Sequence, residues 1–74
     1  MTLDKGKPGE EYSVKALSLP DTVAHRLEAL GMTVDTRISV LENKSRGIMV
    51  VKVRGTRFAV GRGITRKIEV SPFS

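Results

Sequence analysis

Runs in which apolar and polar residues alternate recur along the chain, and they constrain its fold more than any other feature. Tyr12, Val14 and Ala16 alternate with polar neighbours, and the same period of two returns at Ile38 and Val40. Such a period is typical of a strand that buries one face. Later runs of the same kind are built on Met49, Val51 and Val53, on Phe58 and Val60, and on Ile68 and Val70. The pattern predicts about five short antiparallel strands.

One segment between the first two runs has the period of a helix. Val23, Leu27 and Leu30 stand at i, i+4 and i+7, so a helix would gather them into one apolar stripe. We expect the strands to curl into a small barrel, which limits exposed sheet edges, and the helix to lie across one open end. The fold class predicted from the residues is mainly β with one helix.

Both ends of this helix have recognisable signals. Ser18 is followed three residues later by Asp21, a spacing that resembles a capping box, so we expect Ser18 to cap the first turn. Gly31 is expected to end the helix in the left-handed conformation, because glycine has no Cβ. Met32 is then expected to fold back onto the apolar stripe.

A chain of 74 residues is long enough for one small domain, so we assign residues 1–74 to a single domain. Residues 71–74 are expected to form a loose tail. The predicted core joins the inward strand positions to the helical stripe: Tyr12, Val14, Val23, Leu27, Leu30, Ile38, Val40, Met49, Val51, Val53, Phe58, Val60, Ile68 and Val70.

Positive charge is concentrated in the second half of the chain. The net charge is +5, and nine of the 13 lysines and arginines lie in residues 37–67, where Glu42 is the only acid. A basic half favours an acidic partner, such as a nucleic acid, an anionic lipid surface or an acidic protein. The alternative, a solvated strand face whose charge serves solubility, stays open at this point.

Residues for catalysis or metal binding are scarce. The chain has no cysteine, and His25 is its only histidine. A metal site usually takes three or four ligands, and a catalytic nucleophile needs a base beside it. We therefore expect no enzyme activity, no cofactor and no metal site. Metal sensing by His25 with carboxylates such as Asp21 or Glu28 remains an alternative.

The expected location is cytoplasmic. The N-terminal residues lack the apolar run of a signal peptide, and no apolar stretch approaches the about 20 residues that span a bilayer. A small basic barrel that binds RNA or single-stranded DNA is the alternative function. Such barrels stack bases on exposed aromatic side chains, whereas Tyr12 and Phe58 fall on the inward register and Phe73 lies in the tail. Nucleic acid is therefore not the expected partner.

Several segments together resemble one protein family. Residues 26–32 fit the pattern RL-x-x-LG-[LM] of the FeoA family, the small cytosolic partners of the bacterial ferrous iron transporter FeoB. Residues 7–10 resemble the opening of the family, and residues 47–60 and 61–70 resemble its closing hairpin and last strand. The chain departs from the family at residues 34–35, where a glycine is usual, and at Thr65, where a small residue is usual. Asp35 tolerates a left-handed backbone better than most residues, so the turn is expected to survive.

The resemblance implies an SH3-like barrel and an accessory role in ferrous iron transport. It also implies a partner, the cytoplasmic part of the FeoB-type transporter, which includes a GTP-binding domain. We expect no small-molecule substrate, and contact with the membrane only through the transporter. Two surfaces are predicted to bind the partner. One contains Arg26, Met32 and Thr33 at the exit of the helix, and the other contains Lys52, Arg54, Arg57 and Arg62 on the basic strands.

Overall fold

Each alternating run forms a strand in the computed structural model, which describes residues 1–44 and 46–73. Its five strands are β1 (Glu11–Leu17), β2 (Arg37–Asn43), β3 (Ile48–Val53), β4 (Thr56–Gly61) and β5 (Ile68–Pro72). They pair antiparallel in the order β4-β3-β2-β1-β5. Two helices, α1 (Asp21–Ala29) and α2 (Arg62–Thr65), and a 3₁₀ turn at Leu3–Lys5 complete the fold. The predicted mainly β fold class is confirmed.

Two irregularities bend the sheet. The register of β1 against β5 shifts between Val14 and Ala16, and the register of β2 against β3 shifts between Val40 and Glu42. A β-bulge adds a residue to one strand, which bends that strand and increases its twist. The four-residue α2 follows β4 directly and leads to β5, so it links the two end strands of the curled sheet.

The buried core matches most of the predicted one and differs from it at five residues, because Leu3 and Met32 are added and Val23, Leu30 and Phe58 are not fully buried. Leu30 is 43% exposed, so its expected place in the core is wrong; the helix ends at Ala29, and Leu30 occupies the C-cap. Leu3, which the alternation did not single out, is fully buried. Val23 and Phe58 are only partly buried and pack against the cluster from its border. The buried apolar residues are Leu3, Tyr12, Val14, Leu27, Met32, Ile38, Val40, Met49, Val51, Val53, Val60, Ile68 and Val70.

The predicted C-terminal end of α1 is confirmed, whereas its predicted N-terminal cap is not. No side-chain cap forms at the start, where Pro20 is the N-cap, and Ser18 instead donates its backbone N–H to Lys67 O at 2.9 Å. The expected Ser18 capping box is therefore wrong. At the C-terminal end Gly31 has φ +100°, as predicted, and Met32 N–H donates to Leu27 O at 2.9 Å. This is a Schellman turn, and it folds Met32 back onto Leu27.

The segment before β1 is fastened to the sheet. Asn43 Nδ2 donates to Asp4 O at 3.1 Å and to Gly6 O at 2.7 Å. The Tyr12 hydroxyl accepts a hydrogen bond from Lys7 N–H at 2.9 Å. Together with the buried side chain of Leu3, these bonds hold residues 3–7 over the core.

The prediction of a loose tail is wrong for residues 71–73. Strand β5 continues through Pro72, with Ser71 opposite Ser13 of β1. Phe73 N–H donates to Glu11 O at 3.0 Å, and Arg37 Cζ lies 4.6 Å from the centre of the Phe73 ring. A cation over an aromatic face is attractive, which adds to the pairing of β5. Ser74 lies outside the described residues, as does Ser45 in the turn between β2 and β3. Neither described helix has the length and apolarity to cross a bilayer.

Candidate functional site

The β3–β4 hairpin presents two cations side by side. In its register Lys52 lies directly opposite Arg57, and both side chains are exposed. Their neighbours along each strand, Val51 and Phe58, point to the other face and pack into or against the core. Directly opposed like charges repel each other, so an anion that approaches this pair lowers its electrostatic energy. The predicted basic strand face therefore exists as an exposed surface.

Arg54 joins this hairpin to the end of α1. It lies in the two-residue turn between β3 and β4, where its φ is 51° and that of Gly55 is 83°. Two positive φ values are those of a type I′ turn, which suits the twist of a hairpin. The side chain of Arg54 extends over Gly31: a Cβ built on Gly31 would lie 2.7 Å from Arg54 Cδ. The two surfaces that sequence predicted separately thus meet at the contact between Arg54 and Gly31.

The exit of α1 contributes less surface than expected. Arg26 is exposed in the last turn, where the partial negative charge of the helix end favours a cation. Thr33 is half-buried, and its hydroxyl lies 2.7 Å from the hydroxyl of Thr36. Met32 is fully buried by the Schellman turn, so its predicted place on an exposed surface is wrong. It supports the helix end from within.

Arg62 lies at the opposite end of the hairpin from Arg54. It is the first residue of α2, directly after β4, and its side chain is exposed. A Cβ built on Gly47, just before β3, would lie 3.6 Å from Arg62 Cβ and 4.0 Å from its Nε. Arg62 therefore borders the start of β3, while Lys52 and Arg57 lie near the end of the hairpin that turns at Arg54.

None of the four hairpin cations forms a salt bridge within the described residues. The salt bridges there join the N-terminal amine of Met1 to Glu69, Lys15 to Asp35, Arg37 to Glu11, and Lys44 to Glu42. Lys52, Arg54, Arg57 and Arg62 are in none of them. Because these exposed cations are in no salt bridge, this surface is suited to electrostatic recognition of an anionic surface.

The groups that could do chemistry are dispersed. His25 is exposed on α1, and no three histidine, aspartate or glutamate side chains gather to hold a metal within residues 1–44 and 46–73. The aromatic residues do not line the basic face either, since Tyr12 is 5% exposed and Phe58 packs against the core. Phe73, 45% exposed, lies under Arg37 at the β1–β2–β5 side. The platform for stacking bases is therefore missing from the described hairpin surface.

Sequence reasoning missed the apolar residues on the same face. Ile48, Val50 and Ala59 point outward from β3 and β4, at positions where a solvated strand usually has polar residues. The available signal was the run of four apolar residues at 48–51, which breaks the alternation of β3. A strict period of two predicts which residues face the core but overlooks outward residues that are also apolar.

Comparison with known proteins places the chain in a family. A family model described as the FeoA domain matches residues 1–72. The chain belongs to the FeoA family. It is 31% identical over 64 residues to a protein of Methanocaldococcus jannaschii assigned as an Fe(2+) transport protein A, covering 86% of this chain and 77% of the relative. FeoA proteins have an accessory role in ferrous iron transport, and the expected family is confirmed.

Solved FeoA structures share the fold. The crystal structure of an iron uptake regulatory protein, FeoA, superposes with a TM-score of 0.89 at 27% identity and covers 99% of this chain and 97% of its own. The FeoA of Stenotrophomonas maltophilia, solved with zinc and described as a prokaryotic SH3 domain protein, gives a TM-score of 0.82 at 24% identity over 96% of this chain and 89% of its own. The expected SH3-like fold is thereby confirmed.

Proposed function

We propose that this FeoA protein is a non-catalytic accessory of ferrous iron uptake in the cytoplasm that docks on the cytoplasmic, GTP-binding part of a FeoB-type transporter. Its docking surface is the basic face, defined as Lys52, Arg54, Arg57 and Arg62. Membership of the FeoA family supports the iron transport role. The observation that carries the docking surface is the exposed pair Lys52 and Arg57, neither of which is in a salt bridge of the described residues.

Electrostatics defines what such a surface contributes. Complementary charge steers the encounter of two proteins and fixes their register, and it raises affinity less than it raises the association rate. The face therefore selects an acidic surface on the transporter. Arg26 and Thr33 extend it on the helix side, because Arg54 spans the gap to Gly31.

Binding of the purified cytoplasmic part of the transporter to the immobilised chain tests this proposal. The double variant Lys52→Glu/Arg57→Glu reverses both central charges and leaves the strand core unchanged. We expect it to bind at least about tenfold more weakly, a loss of about 1.4 kcal/mol. Arg54 is left intact, because its positive φ makes any substitution there a change in the turn as well.

Lys5→Glu/Lys7→Glu is the matched control. Both lysines are exposed in the segment before β1, and the variant changes the net charge by the same amount as the test variant. We expect it to bind within about twofold of the original chain. Equal binding by the two double variants would refute the basic face as the docking surface, and failure of the original chain to bind would refute the docking itself.

A further inference from the structure

Three apolar side chains lie together on the outer face of the β3–β4 hairpin. Val50 lies directly opposite Ala59, and Ile48 lies two residues along β3, opposite Gly61. Ile48 is 47% exposed, Ala59 is exposed and Val50 is half-buried. Their inward neighbours Met49, Val51 and Val60 already fill the core. The outward residues therefore contribute little to the core and remain in contact with solvent.

The bulge in β2 extends this apolar surface to a third strand. Between the pairs Val40–Val51 and Glu42–Val50 the register shifts, so Leu41 and Glu42 together lie opposite Val50. Leu41 is 36% exposed. We name Leu41, Ile48, Val50 and Ala59 the apolar strip. It crosses three strands, whereas scattered single apolar residues are normal on a protein surface and need no explanation.

Cations lie at both ends of the apolar strip. Lys52 and Arg57 are the next outward pair toward the hairpin turn, and Arg62 lies over Gly47 beside Ile48 at the other end. Glu42 is the acid on the border, and its carboxylate pairs with Lys44 Nζ at 3.4 Å. The result is an apolar centre with a basic rim, which is the layout of a protein–protein interface.

We propose that the apolar strip is the centre of the docking surface, and that the transporter seats an apolar side chain on Val50 and Ala59, with carboxylates beside it facing Lys52, Arg57 and Arg62. The inference rests on the proposed function and specifies the chemistry of the partner. Charge complementarity identifies the occupant. A second copy in a two-fold arrangement would bring the same basic rim against itself, and opposed like charges disfavour such a pair.

The apolar strip and the rim have different kinetic roles. Buried apolar contact at the centre of an interface mainly slows dissociation, and rim charges mainly accelerate association. Ile48→Thr/Val50→Thr removes apolar surface but keeps β-branched residues, which suit strands, so the sheet is retained. We expect the dissociation rate from the transporter's cytoplasmic part to rise at least about tenfold, with the association rate changed by less than about twofold.

Val34→Thr is the control, because Val34 is 59% exposed in the loop after α1 and lies outside the apolar strip. It should leave both rates unchanged, and thermal melting should be two-state for every variant. Unchanged dissociation of Ile48→Thr/Val50→Thr, with weaker binding of Lys52→Glu/Arg57→Glu, would overturn the apolar strip and preserve the proposed function. Failure of the original chain to bind at all would overturn both.

Two further measurements decide between occupants. Sedimentation that detects a dimer of the original chain but not of Ile48→Thr/Val50→Thr would assign the apolar strip to a second copy and overturn the proposal. Flotation with phosphatidylserine vesicles that the same variant abolishes would assign it to lipid, with the same consequence. A monomer that does not float, together with the faster dissociation of the variant, is the result that supports the proposal.

Discussion

Gly31 has a φ of +100°, and the side chain of Arg54 occupies the space where a Cβ would lie. The residue thus serves two elements at once. Its backbone turns the chain so that Met32 reaches the core, and its missing side chain lets the hairpin arginine approach the helix end. Gly9 offers a comparison, since its φ is +87° and nothing lies within 4 Å of its Cβ position.

Gly31→Ala and Gly9→Ala separate these two contributions. Each places an L side chain in the left-handed region, which costs about 1–2 kcal/mol of unfolding free energy. We expect Gly31→Ala to cost more than Gly9→Ala, because Arg54 must also move. Urea unfolding of the two variants measures the difference. Equal losses for the two alanines would contradict a packed contact between Arg54 and Gly31.

The backbone conformation of single residues could be predicted from the sequence at some positions and not at others. The left-handed Gly31 is predicted from its residue type, and Asp35, at φ 71°, adopts the left-handed backbone that aspartate tolerates better than most residues. Arg54 at φ 51° was not predicted, because nothing in an arginine favours that region. Its conformation follows from the hairpin register, with Val53 opposite Thr56, which leaves two residues for the turn.

Among the elements, the strands were predictable and their ends were not. Alternation located all five strands because each buries one face. It could not foresee the bulge at residues 40–42, where the period of two is interrupted, or the extension of β5 through Pro72, which depends on pairing with the distant residues Tyr12 and Ser13. The predicted apolar stripe of the helix is one residue too long. Leu30 fits the helical period, but the helix ends before it and the Schellman turn brings Met32 into the core instead.

Leu27 and Leu30 give a matched test of that difference on α1. Leu27 is 6% exposed and Leu30 is 43% exposed. We expect Leu27→Ala to lower the unfolding free energy by about 2–5 kcal/mol, enough to unfold much of so small a domain. Leu30→Ala should change it by no more than about 0.5 kcal/mol. Thermal and urea unfolding monitored by circular dichroism checks both, and a large loss with Leu30→Ala would contradict its exposed position.

The amide side chain of Asn43 makes two of the hydrogen bonds that hold the segment before β1. Asn43→Ala removes the donor to Asp4 O and Gly6 O, and we expect a loss of about 1–2 kcal/mol in unfolding free energy. Asn43→Asp should cost more, because a carboxylate would place acceptors against two carbonyl oxygens. Urea unfolding gives the free energies, and hydrogen exchange should accelerate at the amide of Gly6. A smaller loss of unfolding free energy for Asn43→Asp than for Asn43→Ala would show that these hydrogen bonds do not hold the segment.

For the whole molecule, charge is as unevenly distributed in the fold as in the sequence. Lys52 and Arg57 form an exposed pair on the hairpin and Arg62 lies at its other end, and none of them is in a described salt bridge. The basic surface could be predicted from the charge count, but the joining of its two parts at Gly31 could not. That contact links residues far apart in the chain, and sequence spacing contains no information about it.

The salt dependence of the association rate shows whether the location of the basic face or the net charge of the chain governs binding. The screening length falls from about 10 Å at 0.1 M salt to about 3 Å at 1 M, so association with the transporter's cytoplasmic part should slow as salt rises. Stopped-flow mixing measures how steeply the association rate falls with salt concentration. We expect a much shallower fall for Lys52→Glu/Arg57→Glu and an unchanged one for Lys5→Glu/Lys7→Glu. Equal slopes for the two variants would mean that total charge, rather than its location, governs the encounter.

The pairing of β1 with β5 has a consequence for biosynthesis. Val14 faces Val70, about 56 residues later in the chain, so β1 has its second neighbour only after almost all of the domain has been made. Contacts this distant in sequence slow folding, because a long loop must close before they form. On the ribosome, the sheet can be completed only after β5 has left the exit tunnel, and until then one edge of β1 has unpaired backbone N–H and C=O groups.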